Sequence, residues 1–248
     1  MREKIIEALK KIETERDIRI LYACESGSRA WGFPSPDSDW DVRFIYVHPL
    51  PWYLQLEKQR DTIDVMLPDE LDLCGWELRK TLQLFAGCNP ALNEWLASPQ
   101  VYLTTPLREE LLSKLPRYFN AKKAIFHYLK MAERSGPKNV KKLFYALRAV
   151  LACHWIASEK TMPPTEFKTL FTHSRGAELP EKLAVEITSL REQKHALGEK
   201  EAVSISQPLL TWLDDQLTKL PALAEATPAG GCKETEVLSE LLRRLVTD

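Results

Sequence analysis

Two aspartates one residue apart, Asp39 and Asp41, are the side chains best placed to do chemistry in this sequence. They stand at the start of the apolar run "DVRFIYV", which predicts a β-strand. Residues i and i+2 of a strand point to the same face, so both carboxylates are expected at one spot, with Trp40 turned away. Adjacent carboxylates repel each other unless a proton or a cation joins them. Hard oxygen ligands suit Mg²⁺ or Mn²⁺, so the spacing predicts a divalent metal site.

A glycine-serine turn precedes these aspartates. The strand-like stretch from Ile18 to Cys24 runs into Gly27 and Ser28, and a short helical turn is expected at Arg29. Glycine lets backbone N–H groups approach a phosphate, and the Ser28 hydroxyl and the Arg29 guanidinium can bind phosphate oxygens. Each motif alone can also be explained by a structural role without function. Asp39 is a common residue type in turns, and Gly27-Ser28 could be an ordinary turn that ends a strand. Their order and spacing together favour phosphoryl transfer.

The elements that must position these residues fall into two kinds along the chain. Strand patterns cluster early, in "IRILYAC", "DVRFIYV", "DTIDVML" and "ELDLCGW", after an amphipathic helix over residues 3–13. From Glu77 the period becomes helical, and "ELRKTLQLFAG" ends at a candidate Gly87 cap. This segregation predicts the α+β class, with a small mixed β-sheet domain over residues 1–105 and an all-helical domain over residues 106–248. The helices expected in the second domain cover residues 117–135, 139–159, 180–197, 208–220 and 234–246.

Composition is that of a globular protein, with 44% hydrophobic and 28% charged residues in 248 and a net charge of -1. The chain as a whole is therefore not a basic nucleic-acid coat protein. Five scattered cysteines without a C-x-x-C pair argue against a disulfide framework or a structural zinc site and indicate a reducing compartment. The first residues lack the apolar stretch of a signal peptide, and no run approaches a membrane span. We expect a cytoplasmic protein without a membrane partner.

One segment is strongly basic. The segment from Arg117 to Arg148 contains nine Lys or Arg residues and a single acidic residue, Glu133. This excess of positive charge favours an anionic partner such as RNA. The candidate acceptor-binding residues there are Lys141, Lys142, Tyr145 and Arg148. Solvated helix faces are the alternative, and Phe144, Leu147 and Leu151 mark the same helix as a core element. The nine basic residues are Arg117, Lys122, Lys123, Lys130, Arg134, Lys138, Lys141, Lys142 and Arg148.

The stretch from Gly27 to Phe44, "GSRAWGFPSPDSDWDVRF", resembles the signature of the polymerase-β-like nucleotidyltransferase superfamily, in which a G-S turn precedes a D-x-D strand. The segment "ELDLCGWELRKTLQLFAGCNPALNEWLASPQVY" resembles a narrower group, the YcgL-like or RlaP (RNA-ligase-associated) predicted nucleotidyltransferases. The resemblance covers residues 20–105 and extends more loosely into "KKLFYALRAVLACHWI". It implies a nucleotidyltransferase sheet followed by a helical domain that lines the cleft.

The resemblance also implies roles for individual residues. Gly27 and Ser28 become triphosphate contacts, and Asp39 and Asp41 become metal ligands. The family needs a third carboxylate on a neighbouring strand. Asp72 is the expected one, because it begins an apolar strand just before a helix, and it would also accept the proton of the incoming hydroxyl.

Two further positions accompany this assignment. Asp64, in "DTIDVML", is the alternative third carboxylate, and its other explanation is a solvent-facing residue of an alternating strand. Lys80 follows the third carboxylate on the next helix and is a candidate phosphate contact.

The predicted activity is transfer of a nucleoside monophosphate from a nucleoside triphosphate to an acceptor hydroxyl, with release of pyrophosphate and with two Mg²⁺ or Mn²⁺ ions. An RNA end, a protein hydroxyl and a small molecule remain open as acceptors, and the basic segment leans toward RNA. A non-catalytic nucleotide-binding or partner-binding module on the same fold is the alternative.

Overall fold

The computed structural model describes residues 1–137, 139–173, 179–198 and 203–247. Within these residues no helix has the length and apolar character needed to cross a membrane. The elements are α1 (Arg2–Arg16), β1 (Arg19–Glu25), α2 (Gly27–Trp31), β2 (Trp40–Val47), α3 (Leu50–Tyr53), β3 (Thr62–Leu67), β4 (Leu71–Glu77), α4 (Leu78–Ala86), α5 (Pro90–Leu96), β5 (Val101–Thr104), α6 (Pro106–Tyr118), α7 (Ala121–Ser135), α8 (Val140–Glu159), α9 (Phe167–His173), α10 (Glu181–Ala196), α11 (Gln207–Ala226) and α12 (Glu236–Thr247).

The chain forms two compact units. The first contains residues 1–30, 39–118 and those from 231 onward, and the second contains residues 31–38 and 119–230. The boundary predicted after residue 105 is therefore wrong. Leu107 and Leu111 of α6 and Leu238 of α12 pack into the same core as β1 and α4, so both helices belong to the unit that holds the sheet.

The first unit is built on a five-stranded mixed sheet in the order β3-β4-β2-β1-β5. Strands β2 and β4 pair in parallel, and the other three pairings are antiparallel. The α+β class with a small mixed sheet is thus confirmed. The parallel pair places the amino-terminal ends of β2 and β4 side by side, and this is the edge where the predicted carboxylates lie.

Each face of the sheet has its own apolar layer. Ile5, Leu9 and Ile12 of α1 pack against one face, together with Val42 and Phe44. On the other face the cores of α4, α5, α6 and α12 cover Ile45 and the later part of β2. Strand residues alternate between the two faces. Asp41 and Arg43 have the same parity as Ile45, so they lie on the α4 face, ahead of the helical cover.

The second unit is helical and includes the loop that joins α2 to β2. Phe33 of that loop lies 5.2 Å from the ring of Phe144 in α8 and 5.7 Å from the ring of Phe167 in α9. The Arg148 guanidinium stacks on Trp31, 4.6 Å from the ring centroid. The half of the signature between the G-S turn and the aspartates is therefore folded into the helical core.

Most predicted elements are confirmed, and the differences have local causes. The helix expected over residues 117–135 begins at Ala121, because Asn120 caps α7 by accepting a hydrogen bond from the Lys123 N–H at 3.0 Å. Strand β5 was not predicted. It is four residues long and exists through its pairing with the edge of β1, which a local pattern does not reveal.

Candidate active site

Asp41 and Asp72 stand directly side by side. They are register partners in the parallel pairing of β2 with β4, and each lies second in its strand. Neighbouring strands run about 4.8 Å apart, and register partners point to the same face. The alternation of β4 supports this placement, because Leu71 and Leu73 are buried while Asp72 is half-buried. Two carboxylates distant in sequence are thus presented together at one end of the sheet.

Asp39 lies one residue before β2 and is half-exposed. Its backbone carbonyl accepts a hydrogen bond from the Arg29 Nε at 3.0 Å, and the Arg29 guanidinium stacks over Trp40 at 3.8 Å. Arg29 therefore joins the turn after β1 to the start of β2. Within the described ranges, no group of three His, Cys, Asp or Glu side chains forms a ready metal cluster. The structure brings Asp41 and Asp72 together and leaves Asp39 at the margin.

Arg43 joins the two central carboxylates. Its Nη2 donates to Asp41 Oδ1 at 2.7 Å and to Asp72 Oδ2 at 2.9 Å, and its Nη1 lies 3.2 Å from the Asp72 carbonyl oxygen. Its side chain is 17% exposed. Burial lowers the pKa of the Arg43 guanidinium, but the charges of Asp41 and Asp72 more than offset burial and hold it above its ordinary value. The sequence prediction missed this residue, although the i+2 spacing from Asp41 places it on the same face.

Gly27 lies so close to Asp41 that a side chain at this position would force the Asp41 carboxylate to shift. Its φ is +59°, in the left-handed region, and a Cβ at this position would stand 2.0 Å from Asp41 Oδ2. The following residue, Ser28, is 4% exposed. The G-S turn and the carboxylates, a dozen residues apart in sequence, therefore form one site in the first unit.

Glu25 is a buried carboxyl group that holds the backbone of Asp41 through a hydrogen bond. Its Oε1 accepts a hydrogen bond from the Asp41 backbone N–H at 2.8 Å, and its Oε2 accepts one from the Tyr102 hydroxyl at 2.5 Å. The Asp41 carbonyl accepts a further hydrogen bond from the Ser26 N–H at 2.8 Å. Burial raises the pKa of Glu25. The sequence analysis ended the predicted strand at Cys24 and gave Glu25 no role.

Asp64, the alternative third carboxylate, lies one strand further out. Its register partner is Cys74, and its carboxylate pairs with exposed Arg60 at 2.9 Å. A hydrogen bond with Cys74, together with Arg60, holds the pKa of Asp64 below its usual range. Between the two candidates, Asp72 is the one that adjoins Asp41.

Lys80 lies at the other end of β4. Asp72 is near the start of that strand, Lys80 follows its end in the first turn of α4, and roughly 16 Å of strand separates Asp72 from Glu77. Its Nζ pairs with Asp61 Oδ1 at 2.8 Å. This placement gives no support to the prediction that Lys80 contacts the nucleotide, because the parallel strand carries it away from the carboxylates.

The candidate acceptor residues belong to the second unit. Lys142 is exposed at the start of α8, and Lys141 and Tyr145 are half-buried. Arg148 is 0% exposed, and its Nε lies 3.4 Å from the Thr165 carbonyl oxygen. A fully buried guanidinium cannot reach a nucleic-acid phosphate, so Arg148 is a core residue and its assignment to acceptor binding is wrong. Lys138 lies outside the described residues.

The chain matches, over residues 1–244, the family described as "RlaP: RNA repair pathway DNA polymerase beta family". It is 40% identical to "Uncharacterized protein YcgL" of Bacillus subtilis (strain 168) over 256 aligned residues. The alignment covers 100% of this chain and 97% of that protein. A solved structure of a nucleotidyltransferase-like protein from Exiguobacterium sibiricum aligns with 97% of this chain and 80% of its own, at 13% identity and a TM-score of 0.33. The chain belongs to the RlaP family, and membership in this polymerase β family supports a general nucleotidyltransferase activity.

Nucleotidyltransferases of the polymerase β type generally use divalent metals, and the side chains at this edge of the sheet suit such an ion. Asp41 and Asp72 offer hard carboxylate oxygens, the ligands that Mg²⁺ and Mn²⁺ prefer. One oxygen of each already converges on a single cationic nitrogen, at 2.7 and 2.9 Å. The point where these oxygens meet is therefore a place for positive charge.

Proposed function

We propose that this chain is a metal-dependent nucleotidyltransferase that moves a nucleoside monophosphate from a nucleoside triphosphate to an acceptor hydroxyl and releases pyrophosphate. The observation that carries the proposal is the convergence of Asp41 and Asp72 in one register, with the backbone of Gly27 against the second oxygen of Asp41. Membership in the RlaP family supplies the reaction class. Position and charge, rather than a covalent intermediate, then account for catalysis.

Each residue of the site has a distinct part in this reaction. Asp41 and Asp72, joined by Asp39 at the margin, hold divalent ions. Bound there, these ions lower the pKa of the acceptor hydroxyl and neutralise the triphosphate. Asp72 accepts the proton as the hydroxyl attacks the α-phosphate. Gly27 and Ser28 hold the triphosphate against the turn.

We propose an RNA end as the acceptor. The description of the family places it in RNA repair. In the second unit, Lys123, Lys130 and Arg134 are exposed on α7, at spacings that put them on one face of the helix. Lys142 adds an exposed cation at the start of α8. A line of cations suits a phosphate backbone. The five cysteines are all free, which fits a reducing compartment such as the cytoplasm.

The activity is tested by incubating the protein with each α-labelled nucleoside triphosphate and Mg²⁺ or Mn²⁺. Two RNA oligonucleotides of the same sequence serve as acceptors, one ending in a 3′-hydroxyl and one in a 3′-phosphate. We expect label in the first RNA only, because the phosphate removes the attacking hydroxyl. Asp41→Asn should abolish labelling. Label in protein or in small molecules, with none in RNA, would identify another acceptor, and no label in any fraction would contradict the proposal.

A non-catalytic module on the same fold is the second candidate, and Arg43 is the observation that favours it. Its guanidinium takes the position between Asp41 and Asp72 where an ion would bind. If this arrangement were permanent, nucleotide would bind without turnover. Nucleotide binding by the wild-type protein, with no labelled product under any metal, would support this candidate.

A further inference from the structure

Arg43 is held by more contacts than an isolated ion pair would need. One terminal nitrogen serves both carboxylates, and the other lies 3.1 Å from the Val42 carbonyl oxygen and 3.2 Å from that of Asp72. The planar guanidinium thus holds the two carboxylates through one nitrogen and the backbone carbonyls through the other, which a point charge cannot do in the same geometry. The carboxylates of β2 and β4 are thereby held together without a metal ion.

The guanidinium and a divalent ion cannot use the same oxygens at once. Mg²⁺ binds oxygen at about 2.0–2.1 Å and prefers six ligands in near-ideal octahedral geometry. The Arg43 nitrogen lies 2.7 and 2.9 Å from Asp41 Oδ1 and Asp72 Oδ2, where these two oxygens converge. A dication at that point would meet a like charge at contact distance, which is strongly unfavourable at a half-buried site. One cation must leave when the other arrives.

The core of the first unit closes one direction of exit to Arg43. The next residue of β2 on the same face is Ile45, which is 0% exposed in the core under α4. A charged group moving that way would lose its hydration without gaining a partner. The open side is the amino-terminal edge of β2 and β4, where Asp39 is half-exposed. Displacement therefore takes the guanidinium outward, past the end of the sheet.

We propose that Arg43 is a competing cation that closes the carboxylate site of the first unit until a divalent ion displaces it. This proposal rests on the proposed function and adds its regulation. The bridge lowers the affinity of the protein for a free metal ion. An ion that arrives with a triphosphate brings negative charge that offsets the guanidinium, so the site fills with metal mainly when nucleotide is present.

The test compares Mn²⁺ affinities, measured by electron paramagnetic resonance of free Mn²⁺ at fixed ionic strength and without nucleotide. Arg43→Gln removes the bridge and should raise the affinity at least about tenfold, because a unit charge in contact with the ion is removed. Arg60→Gln is the matched control, since Arg60 pairs with Asp64 on the neighbouring strand at 2.9 Å. Its affinity should stay within about twofold of wild type, as expected for an exposed pair.

A second variant separates the bridge from charge alone. Arg43→Lys keeps the charge and loses the planar fork, so its Mn²⁺ affinity should fall between those of the wild type and Arg43→Gln. In thermal melts, Arg43→Gln should unfold at a lower temperature than wild type without metal and gain more from Mn²⁺. Both changes follow from repulsion between carboxylates that nothing joins.

The outcomes separate this proposal from the proposed function. If the wild type binds Mn²⁺ and Asp41→Asn does not, but Arg43→Gln binds no more tightly, the competing cation is overturned and the nucleotidyltransferase site stands. An affinity of Arg43→Lys equal to that of wild type also overturns the bridge. If no variant binds Mn²⁺ without nucleotide, Arg43→Gln included, the competing cation is overturned, and the labelling assay alone decides the proposed function.

Discussion

At the scale of single residues, the site depends on which side chains the strand register brings into contact. Asp41 and Asp72 are 31 positions apart in sequence and become neighbours through the parallel pairing of β2 with β4. Asp64 is closer to Asp41 in sequence but lies on the outer strand β3. A carboxylate one strand away from Asp41 can share an ion with it, and one two strands away is at least about 9 Å distant.

We therefore predict that Asp72→Asn abolishes nucleotidyl transfer and that Asp64→Asn leaves most of it. The loss at Asp72 should exceed about 100-fold, because removing a metal ligand forfeits several kcal/mol of transition-state stabilisation. The two variants make the same charge change on the same sheet, so each controls for the other. Rates of label transfer under saturating nucleotide decide between them. The reverse pattern would move the third ligand to β3.

Gly27 supports a second prediction at this scale. Gly27→Ala should destabilise the protein by about 1–2 kcal/mol through its left-handed backbone, and by more through the contact with Asp41. Gly32→Ala is the control, because its φ is +81° and nothing lies within 4 Å of the added Cβ. Urea denaturation measures both costs, and Mn²⁺ binding shows whether Asp41 has moved. Equal costs, with Mn²⁺ binding intact in Gly27→Ala, would show that the contact with Asp41 is unimportant.

At the scale of elements, the junction between β4 and α4 is fixed by a single buried carboxylate. Glu77 is 1% exposed, and its two oxygens accept hydrogen bonds from the N–H groups of Arg79 and Lys80 at 2.8 and 3.1 Å. Tyr53 donates a further hydrogen bond to Glu77. An anion in this position also interacts favourably with the amino-terminal end of the helix dipole. The carboxylate thus ends the strand and begins the helix that covers the sheet.

Removal of this cap is the third prediction. Glu77→Ala should lower the free energy of unfolding by about 2 kcal/mol or more, at the upper end for a helix cap, because the Tyr53 hydroxyl also loses its partner. Asn89→Ala is the matched control, since Asn89 caps α5 through one hydrogen bond from Leu92 at 3.1 Å. It should cost about 1 kcal/mol. Denaturant unfolding compares the two, and an equal or smaller cost at Glu77 would contradict the dual role.

The same scale shows where sequence reasoning succeeds and where it stops. Strands β1, β2 and β4 could be predicted because apolar runs and alternation are local signals. Strand β5 could not, because its four residues become a strand only against β1. The return of α12 to the first unit depends on contacts of Leu238 with residues more than a hundred positions away, which no local pattern encodes.

The site divides in the same way. The G-S turn and the D-x-D spacing can be recognised in the sequence itself. Asp72 could be predicted as the third carboxylate from its position at the start of an apolar strand. The sequence analysis missed Arg43 because an arginine in a predicted strand is usually assigned to the solvent-facing side. Only the pairing of β2 with β4 shows that Asp41 and Asp72 lie together within reach of its side chain. The predicted acceptor-binding role of Arg148 was wrong for the opposite reason. A charged residue on a basic helix is usually assigned to the surface. The Arg148 guanidinium is instead fully buried and lies against the rings of Trp31 and Tyr128.

At the scale of the whole molecule, the two charged groups that the proposed function uses lie in different units. The first unit holds the carboxylates and Arg43 at one end of its sheet. The second holds the exposed cations of α7, while Lys122 of the same helix pairs with Glu225 at 2.6 Å. Under the proposed function, the metal-bound nucleotide would use the carboxylates of the first unit, and an RNA strand would use the exposed cations of the second. The net charge of -1 conceals this division.

The last prediction follows from the cations of α7. Binding of single-stranded RNA should weaken with salt, at a slope of about -0.7 for each phosphate contact, because each contact releases a counterion. Lys123→Ala with Lys130→Ala should flatten that slope by roughly one unit and leave Mn²⁺ affinity unchanged. Lys10→Ala with Lys11→Ala makes the same charge change on α1 of the first unit and should leave the slope as in wild type. Fluorescence anisotropy of a labelled oligonucleotide across a salt series measures all three proteins. If both double variants flatten the slope equally, RNA responds to total charge rather than to α7. A slope unchanged by Lys123→Ala with Lys130→Ala would make α7 a solvated helix face and would favour a protein or small-molecule acceptor.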